Sequence, residues 1–311
     1  MASTQDLKRR VRSISNTRKL TRAMELVASA RLRRAQLRIE AMRPYADRMI
    51  ELMAGTRQAA GAVRLPLLEG RETIRTLGIV PVAGDRGLAG AFNAQVLRRS
   101  FALMREAQAD GQEVKFFPVG RKAQSTVRFR RLPLVESWTG FADKPTYAHA
   151  QAIAHAVADA YVNEEVDRVV IVYNAFVSPL VQRVTVSELL PIPAEVLATD
   201  EEVTEVRETV VDQVQLDRAH EGDHPVDFFF EPEPKQILER LLPVYVETEL
   251  YRALCESAAS FFGAQMTAMR NASKAAGELI DSLTLAMNRA RQAEITQEIL
   301  EVVAGADALT G

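Results

Sequence analysis

Few side chains in this sequence have the types and spacing that chemistry needs. Gly84-Asp85-Arg86-Gly87-Leu88-Ala89-Gly90 follows an apolar run, where a nucleotide-binding α/β fold would cradle phosphate. Such a cradle uses G-x-G-x-x-G or G-x-x-x-x-G-K-[ST], so that backbone N–H groups can approach the anion. Neither spacing is present, and the stretch reads as a tight strand-to-helix turn. Gly120-Arg121-Lys122 lacks the second, preceding glycine. His220 and His224, with Glu221, Asp223 and Asp227, have the ligand types for a divalent cation. Their surroundings are too polar to hold ligands rigidly, so a solvated acidic loop is expected. His149 and His155 fall on different faces of a predicted helix, with no carboxylate or nucleophile evident beside them. No hydrolase triad, paired carboxylates, metal site or cofactor site is predicted. Cys255 is the single cysteine, which excludes an internal disulfide and reads as a small buried hydrophobe.

The chemistry-poor chain is rich in patterned charge. Its 311 residues are 47% hydrophobic, enough for a sizeable core, and 39 Lys plus Arg nearly balance 41 Asp plus Glu. That excludes disorder throughout and gives no global charge argument for nucleic acid. The balance is zoned. Residues 1–43 hold twelve basic side chains against Asp6, Glu25 and Glu40, whereas residues 194–231 hold twelve acidic ones against Arg207 and Arg218. The basic stretch suits a solvated helix face or contact with acidic protein surfaces. Nucleic acid is disfavoured, because no aromatic residue for base stacking precedes Tyr45. The N-terminus leads into charge, so no signal peptide is expected, and no apolar run approaches the ~18 residues of a membrane span.

Alternating steps of four and three from Leu7 give Val11, Ile14, Arg18, Thr21, Glu25, Ala28, Leu32, Ala35, Ile39, Met42, Ala46, Met49 and Met53. Eleven of these fourteen are apolar, the mark of a helix seam in a left-handed supercoil. Ser3 with Asp6 supplies an N-cap, and Pro44 predicts a kink. The other end repeats the pattern with smaller side chains: Leu254, Ala258, Phe261, Gln265, Ala268, Ala272, Ala275, Leu279, Ser282, Ala286, Arg289, Ala293, Thr296, Leu300 and Val303. A helix of about 60 residues would be about 90 Å long, far beyond the width of a compact domain.

Between these ends, strands are predicted at 74–82, 114–119, 169–173 and 181–190, the last with Val184, Val186 and Leu189 on its apolar side. Helices are predicted at 88–109 and 146–162, and the alternation argues for an α/β domain with a largely parallel sheet. Residues 235–242 start a short helix, and Pro243 opens the long one. The predicted organisation is an N-terminal coiled-coil helix at 1–60, an α/β domain at 72–193, an acidic insertion or loop at 194–230 and a C-terminal coiled-coil helix at 234–311. The ends pair antiparallel as a shaft, with the α/β domain as a head.

Residues Leu7 to Ala28, in particular Ile14-Ser15-Asn16-Thr17-Arg18-Lys19-Leu20-Thr21-Arg22-Ala23-Met24-Glu25, resemble the N-terminal signature of the gamma subunit of rotary F-type ATP synthases. Gly84 to Asn93 is similar to that family's motif after its first strand, and Asn288-Arg289-Ala290-Arg291-Gln292-Ala293-Glu294-Ile295-Thr296-Gln297-Glu298-Ile299 to its C-terminal signature. The resemblance implies a non-catalytic central-stalk rotor with a Rossmann-like α/β domain, peripheral on the cytoplasmic face of a bacterial plasma membrane. Its implied partners are the alpha and beta subunits, the epsilon subunit and the membrane c-ring, with membrane contact only through the complex. By motif position, Lys19, Arg22, Met24, Arg289, Arg291, Gln292 and Thr296 would face the alpha-beta ring's catch loops. Ile299, Leu300, Val302 and Val303 would turn in the sleeve at its top. The acidic segment is expected to modulate rotation or contact epsilon. A nucleotide-binding α/β enzyme with a coiled-coil arm is the competing reading.

Overall fold

The computed structural model describes residues 4–60, 65–193, 196 and 233–310, the side chains at 43, 47 and 305–310 excepted. Two very long helices frame it, α1 (Thr4–Ala60) and α5 (Pro234–Thr310). They run antiparallel: Thr4 bonds Glu294, Arg18 lies against Gly277, Glu25 pairs with Arg270, and Arg31 stacks over Phe262. At ~1.5 Å per residue the helices are roughly 85 and 115 Å long, so α5 outreaches α1 at the end remote from the head.

Between them lie β1 (Thr76–Pro81), α2 (Phe92–Ala109), β2 (Glu113–Phe116), α3 (Arg121–Phe129), α4 (Tyr147–Val162), β3 (Arg168–Phe176) and β4 (Gln182–Leu190). The sheet order is β2-β1-β3-β4, with β1 parallel to both neighbours and β4 antiparallel to β3. Alternate residues serve opposite faces, as strand geometry requires. Leu77, Ile79, Val170 and Val172 pack with Val96 and Phe101 of α2 and Val127 of α3. Val80, Val169, Ile171 and Tyr173 face α4 and α5, where Leu238, Leu242, Val246 and Leu250 meet Met49 and Met53 of α1. The head is therefore a helix-sheet-helix sandwich whose second helical layer is the base of the shaft.

A second apolar cluster makes the joint. Ala28, Leu32, Ala35 and Ile39 of α1 meet Ala259, Phe261, Phe262 and Met266 of α5, and Ala89 and Phe92 of the head insert beside them. Phe92 and Phe261 contact edge to face at 5.4 Å.

The α1 seam holds its predicted phase through Met53 and continues past Pro44 within one helix, with Met42 and Met49 buried on either side. Other expectations change. On the distal half of α5 the seam has a different phase. Ser273, Ala276, Gly277, Ile280, Leu283, Thr284, Met287 and Ala290 are the partly covered positions, whereas Ala272, Ala275, Leu279, Ser282, Ala286, Arg289 and Ala293 are exposed. Alanine occurs on both faces, so hydrophobicity alone could not set the phase. Residues 235–242 and Pro243 belong to one continuous helix instead of two. Leu189 faces α4 and α5, opposite to Val184 and Val186. Helix α2 starts at Phe92, later than 88, because Leu88 and Gly90 adopt left-handed φ of 65° and 57°. The predicted Ser3 cap, the His220 and His224 cluster and nearly all of the acidic segment fall outside the described residues.

Candidate functional site

The predicted contact residues occupy two levels of the shaft. Lys19 and Arg22 are exposed on α1, and Met24 is half-buried beside the seam. Arg289, Arg291, Gln292 and Thr296 are exposed on α5, with the Thr296 hydroxyl donating to the Gln292 carbonyl at 2.8 Å. Because the helices are antiparallel, Met24 lies level with the 270 region and Arg289 near the start of α1. The two groups are separated along the axis by roughly 25 Å. Ile299, Leu300, Val302 and Val303 lie beyond the start of α1, all exposed, Val302 to 72%. Leu20 (65%), Leu26 and Val27 extend this apolar exposure down α1. A rod with so many uncovered apolar side chains is a surface for enclosure by other proteins.

Glu25, which the seam pattern shows only as a polar interruption, is buried. Its carboxylate accepts from Arg270 Nε across the seam at 3.0 Å and from Arg22 Nη1 at 2.9 Å, one oxygen each. The Arg270 hydrogen bond, aided by the Arg22 charge, holds the carboxyl below its ordinary range despite burial.

The head has a possible ligand crevice where the strand order reverses, at the carboxyl ends of β1 and β3. The chain's own groups take up the backbone donors around it. Asp85 accepts the backbone N–H groups of Arg121 and Gly140 on one oxygen and of Ala142 on the other, all at 2.9 Å. Arg121 opens α3, so a carboxylate takes the place at that helix N-terminus where phosphate would bind. Gly84 donates its N–H to Asn93 Oδ1 at 2.8 Å, and a Cβ on Gly84 would lie 3.0 Å from the Phe261 ring of α5. Gly120, at φ 89°, approaches the Ala83 carbonyl so closely that a Cβ would lie 1.9 Å from its oxygen. The motif Gly84 to Asn93 thus fastens the head to the shaft. An open depression of about 540 Å³ beside Asp85 is lined by Arg86, Arg121, Phe141, Asp143, Lys144 and His149, among others.

Two histidine expectations change in detail. His155 has a carboxylate after all: Glu247 of α5 lies 3.1 Å away and also accepts from Tyr147 and Gln151. His149 caps α4 through Thr146 and stacks on Phe141 at 4.0 Å. Both fasten α4, and the Glu247 link escaped sequence reading because that residue is 92 positions away. Cys255 is buried, and desolvation raises its thiol to about 11.

A family model described as ATP synthase matches residues 3–309. The gamma chain of ATP synthase from a Nostoc species is 44% identical over the full length of both chains, and that from Rubrobacter xylanophilus is 44% identical over 99% of each. The chain belongs to the ATP synthase gamma-chain family. Solved structures agree on the fold. A chain of the Tetrahymena thermophila mitochondrial ATP synthase central stalk and c-ring aligns with TM-score 0.58 at 24% identity, covering 82% of this chain and 99% of that one. One from the Euglena gracilis mitochondrial enzyme gives TM-score 0.64 at 16% identity, covering 98% and 94%. Among the described residues no helix is long and apolar enough to cross a membrane.

Proposed function

We propose that this gamma-family chain is the central-stalk rotor of an ATP synthase, carrying rotation of a membrane c-ring to an alpha-beta ring and performing no bond chemistry itself. The observation that carries the reading is the antiparallel pair of α1 and α5, with α5 projecting beyond its partner. A two-helix rod of this kind is stiff along its axis and has unlike faces, so turning it presents different surfaces to each of three surrounding beta subunits. Each beta subunit then favours the nucleotide state that fits the face before it. Basic Lys19, Arg22, Arg289 and Arg291, with Met24, Gln292 and Thr296, meet the ring's acidic and polar loops, and Ile299, Leu300, Val302 and Val303 turn in an apolar sleeve.

In this reading the α/β domain lies toward the c-ring and epsilon, on the cytoplasmic face of a bacterial plasma membrane, and the division into shaft and head supports it. Asp85 at the α3 N-terminus and Phe261 against Gly84 favour this reading over a nucleotide-binding enzyme, since the chain's own groups take the donors and the close approach that a phosphate would need. Reconstitution with the alpha and beta subunits tests it. ATP turnover is expected to appear only in the assembled complex, and turnover by the isolated chain would overturn the proposal.

A further inference from the structure

Beyond the joint with the head, the two helices are tied by the Glu25–Arg270 pair, by the Thr4–Glu294 hydrogen bond near the far end, where Leu7 is buried, and by a shallow seam between. Head-ward of residue 25 the seam interlocks, with Leu32 and Ile39 packed among Phe261, Phe262 and Met266. On the free side α5 offers Ser273, Ala276 and Gly277, then half-covered Ile280 and Leu283, against half-covered Ile14 and Val11. Arg18 lies over Gly277, where a Cβ would still find ordinary contact at 3.5 Å. Only Ser273, Ala276 and Gly277, the stretch beside Glu25, are small, and small side chains interlock little with their neighbours. Glu25 sits at the boundary between these two regimes, and its charge does not tolerate a slip of one helical turn.

We propose that Glu25 is a positioning residue: its carboxylate, held by Arg270 across the seam and by Arg22 on its own helix, fixes the axial register of the free shaft. A buried charge is held only where both oxygens are satisfied, and a single buried polar group in a coiled-coil seam is the best-attested register device. A slip of one turn, about 5.4 Å, would part Glu25 from Arg270 and leave the carboxylate covered but half-satisfied. The register matters because Met24 and Lys19 are on one helix and Arg289 and Arg291 on the other. Their relative heights, and so the pattern the shaft presents at each angle, depend on it. That consequence rests on the rotor reading, whereas the register itself does not.

Spin labels at Leu20→Cys and Leu285→Cys in the full chain read the register. Both sites are exposed on the free shaft, and buried Cys255 stays unlabelled. A single narrow distance is expected in this background. Glu25→Gln is expected to broaden it or displace it by about 5 Å, one turn, and Glu25→Arg combined with Arg270→Glu to restore it. Arg270→Gln gives a second reading, since its side chain is 56% exposed and its loss leaves the core intact. An unchanged distance in both single variants, or failure of the reversed pair to restore it, overturns the proposal.

In the reconstituted complex with alpha, beta and the c-ring, Glu25→Gln is expected to lower proton pumping per ATP hydrolysed at least two-fold, with recovery in the reversed pair. A displaced distance with normal coupling overturns the positioning role. Failure of the unaltered chain to confer coupling overturns the rotor reading instead, while the distance measurement still decides the register.

Discussion

At the scale of single residues, two acidic side chains organise the protein through the hydrogen bonds they accept. Asp85 gathers three backbone N–H groups from α3 and the 140–142 turn. Asp85→Ala is expected to destabilise the head by about 2 kcal/mol, because charge-assisted hydrogen bonds of this kind are worth roughly 1.5–3 kcal/mol. Urea unfolding followed at Trp138 measures it, and an unchanged midpoint would show that solvent satisfies those groups equally well. Glu25 has a depressed carboxyl pKa, so its contribution is fully present above the ordinary carboxylate pKa and disappears as pH falls through the lower folded value. Melting of the shaft by circular dichroism is expected to lose temperature on acidification in the unaltered chain and to lose less of it in Glu25→Gln. Met24→Lys adds a cation to a half-buried position already flanked by Arg22. It is expected to over-tighten contact with acidic loops and uncouple pumping from hydrolysis, and full coupling in that variant would refute the placement of Met24. None of these roles is visible from residue type alone: Asp85 resembles any loop acid, and Glu25 and Arg270 lie 245 positions apart.

At the scale of elements, the α1 seam was readable because Leu32, Ile39, Met42, Met49 and Met53 recur at seam spacing, whereas the exposed Leu20, Leu26, Val27 and Leu37 do not. The distal α5 was not, since Ala272 and Ala275 are as apolar as Ala276 while facing away from α1. The four strands were readable because their apolar runs are short and β-branched, as Val169 to Val172 show. Helix α3 was missed: nine residues with Arg121, Lys122, Arg128 and only Ala123 and Val127 buried give too weak a periodic signal. The end of α5 makes a prediction of its own. Replacing Ile299, Leu300, Val302 and Val303 together with alanine is expected to leave the melting temperature of the isolated chain within a degree or two, since exposed positions contribute little to folding. Affinity for the alpha-beta ring, measured by titration, is expected to fall at least ten-fold. A lowered melting temperature with unchanged affinity would assign those residues to folding.

At the scale of the whole molecule, the antiparallel arrangement and the α/β head were both legible, because both chain ends carry long uninterrupted helical patterns. The location of the joint was not, since Ala89 and Phe92 of the head meet Leu32 and Phe261 only in three dimensions. The isolated chain is expected to give no binding heat with ATP in calorimetry, even at millimolar nucleotide. Saturable heat would move the depression beside Asp85 from a surface feature to a binding site.

Among the described residues, 295–310 of α5 have no part of α1 beside them, a length of about 24 Å. A lone helix bends far more readily than a bonded pair, so lateral error accumulated over the lower rod can be absorbed at the tip without disturbing the angle set below. Such compliance would keep the tip centred while the rest of the rod wobbles. It also means that force for turning must enter through the paired section, where the lever is stiff, and that lengthening α1 to cover the overhang would trade tolerance of misalignment for rigidity.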